Sequence, residues 1–375
     1  MDLDFNAEQD MLREMVRGVC ATYCPPETVR ALEDDPVGYA AELWKQLADL
    51  DCIGLMIPAE FGGSGMSALE GVVVYEELGR ALAPSPHFVS AVMAAGCLLR
   101  AGSDAQRAAW LPRIATGDAI VTTAWHEPGS GFGARGVQAT AVADSDGFRI
   151  DGEKWHVPFA GAATSILVLA RTGDAEDAVD LFLVDPSSPG VRMAQQHTLA
   201  SDTQHAVRFS GVHVPGSARI GGPGSGWATW NATLLEGIVL LAAQAMGGAR
   251  YALEITTQYA KDREQFDKPL GAFQAIAHYL ADASTAVEGG TILVHEAAWA
   301  SANGRAIDRL APMAKLFAGR TFRDVTAMAQ QVFGGVGFTL EYDIQLYFRR
   351  AKQLQISWWD DRVLEERVAA TVLDA

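Results

Sequence analysis

The chain has 375 residues, 49% of them apolar and 20% charged, an ordinary globular balance that leaves ample material for a core. Its net charge of −17, with no basic block to offset it, argues against nucleic acid or an anionic membrane as the main partner. A polyanionic ligand must therefore be met by locally placed Arg, Lys and backbone N–H groups.

Residues 1 to about 118 are predicted to be helical. Glu8 to Tyr23, Gly38 to Asp49, Ala68 to Ala81, Phe88 to Ala101 and Asp104 to Thr116 each place apolar residues at three- and four-residue steps. Gly62-Gly63-Ser64-Gly65 has the composition of a phosphate cradle but lacks the Lys-Ser/Thr of a P-loop, and it reads as a turn. Cys20, Cys24, Cys52 and Cys97 lie in this part without zinc-like spacing, so they are expected to be thiols of a reducing compartment, and no metal site is expected. No charged-then-apolar leader opens the chain and no apolar run reaches transmembrane length, so a cytoplasmic location is expected.

From Ala119 the period changes. Ile120 to Ala124, Val137 to Asp144, Gly147 to Glu153, Ile166 to Arg171, Val179 to Asp185 and Ala206 to Val214 are short runs rich in Val, Ile, Leu and Thr, divided by turn signals such as Ser145-Asp146-Gly147. Closely spaced strands without intervening helices predict an antiparallel barrel or sandwich over residues 119–222. After the linker Gly221-Gly-Pro-Gly-Ser-Gly226, helical patterns at about 228–262, 272–303, 308–331, 341–352 and 361–373 predict an antiparallel bundle over residues 223–375.

Between the first two bundle helices lies Tyr259-Ala-Lys-Asp-Arg-Glu-Gln-Phe-Asp-Lys-Pro-Leu-Gly-Ala-Phe-Gln274, where Pro269 and Gly271 break the helix. A corner holding Arg263, Lys268 and Gln274 can offer cations and an amide to a phosphate, or it can be a solvated helix end. The stretch resembles the Arg-x-x-Phe-Gly-x-Pro-x-x-x-Phe-Gln segment of the acyl-CoA dehydrogenase flavoprotein family, with Asp267 in place of Gly. Gln331-Val-Phe-Gly-Gly-Val-Gly-Phe338 is similar to that family's Gln-x-Phe-Gly-Gly-x-Gly segment. Pro58-Ala-Glu-Phe-Gly-Gly63, Glu127-Pro-Gly129 and Gly152-Glu-Lys154 follow the family's order, so the resemblance covers essentially the whole chain.

The resemblance implies an α+β multidomain fold of N-terminal helices, central β-barrel and C-terminal helix bundle. It implies FAD as cofactor, an acyl-CoA substrate, a homologous subunit and an electron-transfer acceptor as partners, and α,β-dehydrogenation of the thioester. It assigns FAD contacts to Arg263, Phe266, Gln274, Gln331, Gly334 and Gly335, parts that reach a neighbouring subunit's cofactor in the family.

The departures fall elsewhere. The family's base sits in a Tyr-Glu-Gly-Thr segment after an Arg-x-Ala-Lys helix; here Arg349-Arg-Ala-Lys352 leads into Ser357-Trp358-Trp359-Asp360, and Trp358 takes the Glu position. A second base position used in the family falls on Gly237, with Glu236 one residue away, about 100° around a helix. Glu236 is therefore the candidate base, against an ordinary role at the helix start, while Asp360 and Asp361 read as first-turn residues of the last helix. The flavin-facing Thr and Ser around Glu-Pro-Gly become His126 and Phe132, and the Trp-Ile-Thr strand becomes His156-Val157-Pro158. His126 and His156 can act as flavin-directed donors or as structural residues.

The resemblance thus points to the base-lacking subunit of actinobacterial-type heteromeric acyl-CoA dehydrogenases, which act on bulky esters such as steroid side chains. The alternatives are a self-sufficient homo-oligomer using Glu236, a non-catalytic structural paralogue, and a flavin-dependent oxidase or oxygenase of the same fold.

Overall fold

Reciprocal capping sets where three of the N-terminal helices begin. Asn6 with Gln9 caps α1 (Ala7–Tyr23), Ser67 with Glu70 caps α4 (Ala68–Arg80), and Ser103 with Gln106 caps α6 (Asp104–Ala115). Between them lie α2 (Pro26–Ala31), α3 (Ala41–Asp49), a buried π-helical segment Phe88–Ala94 and α5 (Ala95–Ala101). This computed structural model describes residues 5–373. The order of helices, sheet and helices expected from periodicity is the order observed.

The central strands are β1 (Val121–Ala124), β2 (Thr140–Asp144), β3 (Gly147–Pro158), β4 (Ser165–Arg171), β5 (Val179–Val184), β6 (Val191–Gln196), β7 (Gln204–Pro215) and β8 (Arg219–Ile220). They form one eight-stranded sheet in the order β6-β7-β3-β2-β4-β5-β8. Most pairings are antiparallel, but β1 runs parallel to β4 along Ser165–Val168, and β2 meets the same strand in parallel at Arg171. Alternation along β3 and β7 turns Ile150, Val157, Val207 and Phe209 into a core that Phe182 and Val184 of β5 share. Strand β6 escaped the sequence reading because Val191-Arg-Met-Ala-Gln-Gln196 has only one β-branched residue and packs only part of one face.

The C-terminal helices are α7 (Gly226–Asp262), α8 (Gln274–Ala302), α9 (Leu310–Phe333), α10 (Ile344–Ile356) and α11 (Asp361–Leu373). The expected helix break after Asp262 is instead a two-stranded hairpin, β9 (Glu264–Gln265) with β10 (Lys268–Pro269). Contrary to the sequence expectation, α7 is long and apolar enough to cross a membrane, but 78% of its most apolar window is buried in the protein, as in a core helix. The four cysteines are buried and free of disulfides.

The chain forms two compact units: Met1–Val29, Ser67–Ala83 and Ile238–Ala375 in one, Arg30–Met66 and Pro84–Gly237 in the other. In the first, Glu76 on α4 accepts from Arg13 of α1 at 2.9 Å and lies 2.8 Å from His295 Nε2 of α8, tying three helices together. Helices α4 and the second half of α7 touch backbone to backbone. A Cβ on Gly247 would lie 1.8 Å from the Glu76 carbonyl oxygen, and one on Gly79 would lie 2.0 Å from that of Gln244.

Candidate active site

In the sheet-bearing unit, β1 runs into Trp125-His126-Glu127-Pro128. The Glu127 carboxylate accepts Lys154 Nζ at 2.6 Å and the backbone N–H groups of Gln138 and Ala139 at 2.9–3.0 Å. Lys154 is 0% and Glu127 5% exposed, so the pair is satisfied internally. Burial pulls the lysine down to about 8, and the carboxylate opposes that shift. The Glu127-Pro and Gly152-Glu-Lys154 motifs thus meet in one buried pair that fixes the backbone beneath His126, a structural role that spacing alone did not reveal.

Above this pair the rings of His126 and Phe132 lie 5.4 Å apart, those of Trp125 and Phe132 5.7 Å, and those of His126 and His156 6.0 Å. His126 Nδ1 is buried without a hydrogen-bond partner among the described residues. Burial, reinforced by His156 and Lys154, holds that imidazole below its usual value, against an opposing pull from Glu127. The Trp155 N–H donates to the His126 carbonyl at 3.0 Å, which joins the two histidine-bearing segments. The Thr122 hydroxyl donates to the Pro158 carbonyl and is fully buried, so it does not replace the hydroxyl lost at Pro158.

The same unit contains Glu236 and Gly237, on the first half of α7. The Glu236 carboxylate is about half exposed and ion-paired with Arg100 of α5. A Cβ on Gly237 would come within 3.2 Å of Met93 Sδ and 3.3 Å of the Phe88 ring, so the π-helical segment already fills the space a side chain there would need.

In the helical unit, Phe266 and Asp267 form the hairpin tip with φ of +54° and +63°. The Phe266 ring is 88% exposed, and Arg263 and Gln274 are exposed too. The Arg263 side chain has no hydrogen-bond or ion-pair partner among the described residues, whereas Lys268 stacks over Phe273 at 4.2 Å. Helix α9 ends at Gly334, whose φ of +65° and ψ of −143° suit glycine. Gln330, Gln331, Gly334 and Phe338 line a cavity of about 330 Å³ with Ala327 and Phe348. Neither amide atom of the buried Gln330 has a partner among the described residues, and Gly334 and Gly335 face open space.

The Trp pair belongs to the same unit. Trp359 is 1% exposed, with Arg367 3.5 Å above its ring, while Trp358 is half-buried. Both have left-handed backbones, φ +55° and +75°. Lys315 of α9, itself buried, donates to the carbonyls of Trp359 at 2.9 Å and Leu354 at 3.3 Å, pinning the turn. Burial brings that amine down to about 7, although Asp361 and Asp360 pull it upward.

Three family models match in succession: the acyl-CoA dehydrogenase N-terminal domain over residues 6–118, the middle domain over 122–212 and the C-terminal domain over 224–373. The chain belongs to the acyl-CoA dehydrogenase family. A curated relative of this family, benzylmalonyl-CoA dehydrogenase of Aromatoleum aromaticum, is 31% identical, with 99% of this chain and 100% of the relative aligned. Among solved acyl-CoA dehydrogenase structures, the ChsE4-ChsE5 complex from Mycobacterium tuberculosis matches with a TM-score of 0.91 and 28% identity over all of both chains. A single-residue variant of the Tcur3481-Tcur3483 steroid ACAD matches with a TM-score of 0.87 and 31% identity over 98% of each chain. Acyl-CoA dehydrogenases are FAD-dependent oxidoreductases, and their reaction is the one expected of this fold.

Proposed function

We propose that this chain is the base-lacking subunit of a heteromeric acyl-CoA dehydrogenase and completes an FAD site on a homologous partner chain. The observation that carries the reading is the state of all three candidate base positions. Trp358 cannot take a proton, Gly237 is walled by Met93 and Phe88, and Glu236 is held at the surface by Arg100. None of these positions holds a buried carboxylate, the usual device for removing a carbon-bound proton.

The residues present fit the cofactor. Gln330 has a buried amide without partners among the described residues, the Arg263 guanidinium is exposed and likewise unpaired among them, and Gly334 and Gly335 leave room for close approach. Arg263, Phe266, Gln274, Gln331, Gly334 and Gly335 would hold a partner's FAD at its phosphate and adenosine end, and His126 and His156 would face a flavin ring on this chain's own sheet. When bound, FAD supplies the hydride acceptor; the protein places it and excludes water. Both solved relatives described above bear names of two-component or steroid-directed enzymes, which supports a mixed assembly and a bulky, steroid-like acyl group.

Flavin stoichiometry tests this. Visible absorbance against protein concentration is expected to give little flavin for the chain alone and, after co-expression with a homologous chain that retains the family's Glu, at least one FAD per pair, rising to two where this chain's own sheet is filled as well. One FAD per chain in the isolated protein would overturn the reading.

A further inference from the structure

The bulge in β3 sets Trp155 and His156 opposite the single residue Ala206 and turns the His156 backbone to φ +54°. Two glutamines then hold this residue. Its backbone N–H donates to Gln196 Oε1 at 2.8 Å, and its Nδ1 lies 2.8 Å from Gln204 Oε1. The direction of the second bond is set in the segment that joins β6 to β7. Gln204 Nε2 donates to Asp202 Oδ2 at 2.7 Å, and the Thr198 hydroxyl donates to Asp202 Oδ1 at 2.6 Å.

An ionised carboxylate only accepts, so the NH₂ of Gln204 must face Asp202 and its oxygen must face the imidazole. That oxygen also only accepts, so Nδ1 must carry a proton. In a neutral ring the lone pair is then on Nε2.

We infer that Asp202 and Gln204 are positioning residues that fix His156 as the Nδ1–H tautomer, so that its ring offers the cofactor an acceptor at Nε2 rather than a donor. The inference rests on the reading that this face of the sheet meets a flavin. It sharpens the sequence-based expectation, which allowed His156 to donate. The matching ligand edge is an N–H, such as the imide N–H of a flavin ring; a bare carbonyl would meet lone pair with lone pair.

The tautomer can be read in the intact chain by long-range proton–nitrogen correlation NMR with isotope-labelled histidine, using His156→Asn to identify its signals among the eight histidines. The Nδ1–H pattern is expected in the unmodified protein and in Gln204→Glu, whose carboxylate accepts the same proton. Gln204→Leu is expected to move the population to Nε2–H. Asp202→Asn lets the amide turn over without emptying its buried site and gives a mixture. Nε2–H in the unmodified protein, or an unchanged tautomer in both Gln204→Leu and Asp202→Asn, would overturn the inference.

A second readout is FAD affinity of the flavin-loaded assembly, followed by fluorescence. It is expected to fall about tenfold in Gln204→Leu, roughly 1.4 kcal/mol, and to recover in Gln204→Glu. Equal affinities would overturn the cofactor-facing role. Failure of every preparation to bind flavin would sink the proposed function, while the tautomer measurement would still decide the positioning role.

Discussion

Glu127 carries four hydrogen bonds in a space closed to water, and Lys154 is the cation that balances it there. Removing one charge strands the other, so Glu127→Gln is expected to cost about 3–5 kcal/mol, measured as a lower urea midpoint. Glu236 and Arg100 are partly exposed, and such surface pairs contribute roughly 0–1 kcal/mol. Glu236→Gln is therefore expected to leave both stability and the turnover of the assembled enzyme within about twofold; a loss of turnover of about a hundredfold or more would make this carboxylate the base.

Lys315 gives a pH prediction. Its amine is brought down to about 7 in the folded chain, against about 10.4 in an unfolded one. Between those values the unfolded chain holds the extra proton, so stability rises with pH by on the order of 1.4 kcal/mol per unit and levels off below the lower value. Urea midpoints across that range are expected to rise less steeply in Lys315→Met than in the unmodified protein. Lysine at α9 was readable in the sequence only as a helix residue. Its acceptors, the carbonyls of Leu354 and Trp359, lie about forty positions away and no periodicity announces them.

At the scale of elements, periodicity works where one face is buried and fails where contacts are set by backbone approach. The five C-terminal helices were legible from apolar spacing, but nothing in Gly79 or Gly247 announces that α4 and α7 touch through them. Gly247→Ala is expected to push a methyl into the Glu76 carbonyl and to cost several kcal/mol, seen as a drop in Tm, since backbone cannot yield as a flexible side chain can. The hairpin at Phe266 was hidden for a different reason. Asp267 takes a left-handed conformation without the glycine that would have marked a turn, so the stretch read as a break between two helices. The π-helical turn at Phe88–Ala94 has the same apolar spacing as an α-helix, and only the structure separates them.

At the scale of the whole molecule, this unusually acidic chain keeps an exposed Arg263, without an ion-pair partner among the described residues, three positions before an exposed phenylalanine. Under the proposed assembly, Arg263→Ala combined with Gln331→Leu in this chain is expected to lower FAD bound per heteromer by at least half while leaving the subunits associated. Absorbance and light scattering on the same sample measure the two quantities. The motifs that carry the family were legible because they are short and contiguous, and so were the departures at Trp358 and Gly237 from which a division of labour between chains is proposed; which polar groups are already satisfied within this chain was not, because it depends on contacts distant in sequence.

The turn at Trp358 and Trp359 has an evolutionary consequence. Its second residue keeps φ +75°, a backbone setting suited to the glycine of the family's Glu-Gly pair, yet it carries the largest of side chains, fully enclosed. Trp359→Gly would relax the backbone but hollow out the interior, at about 3–5 kcal/mol. Trp358→Glu alone would return a carboxylate to a turn still wedged by its neighbour. No single substitution leads back at low cost, so under the proposed assembly the turn acts as a ratchet: once its own interior depends on that indole, the chain would stay bound to whichever lineage supplies the missing acid.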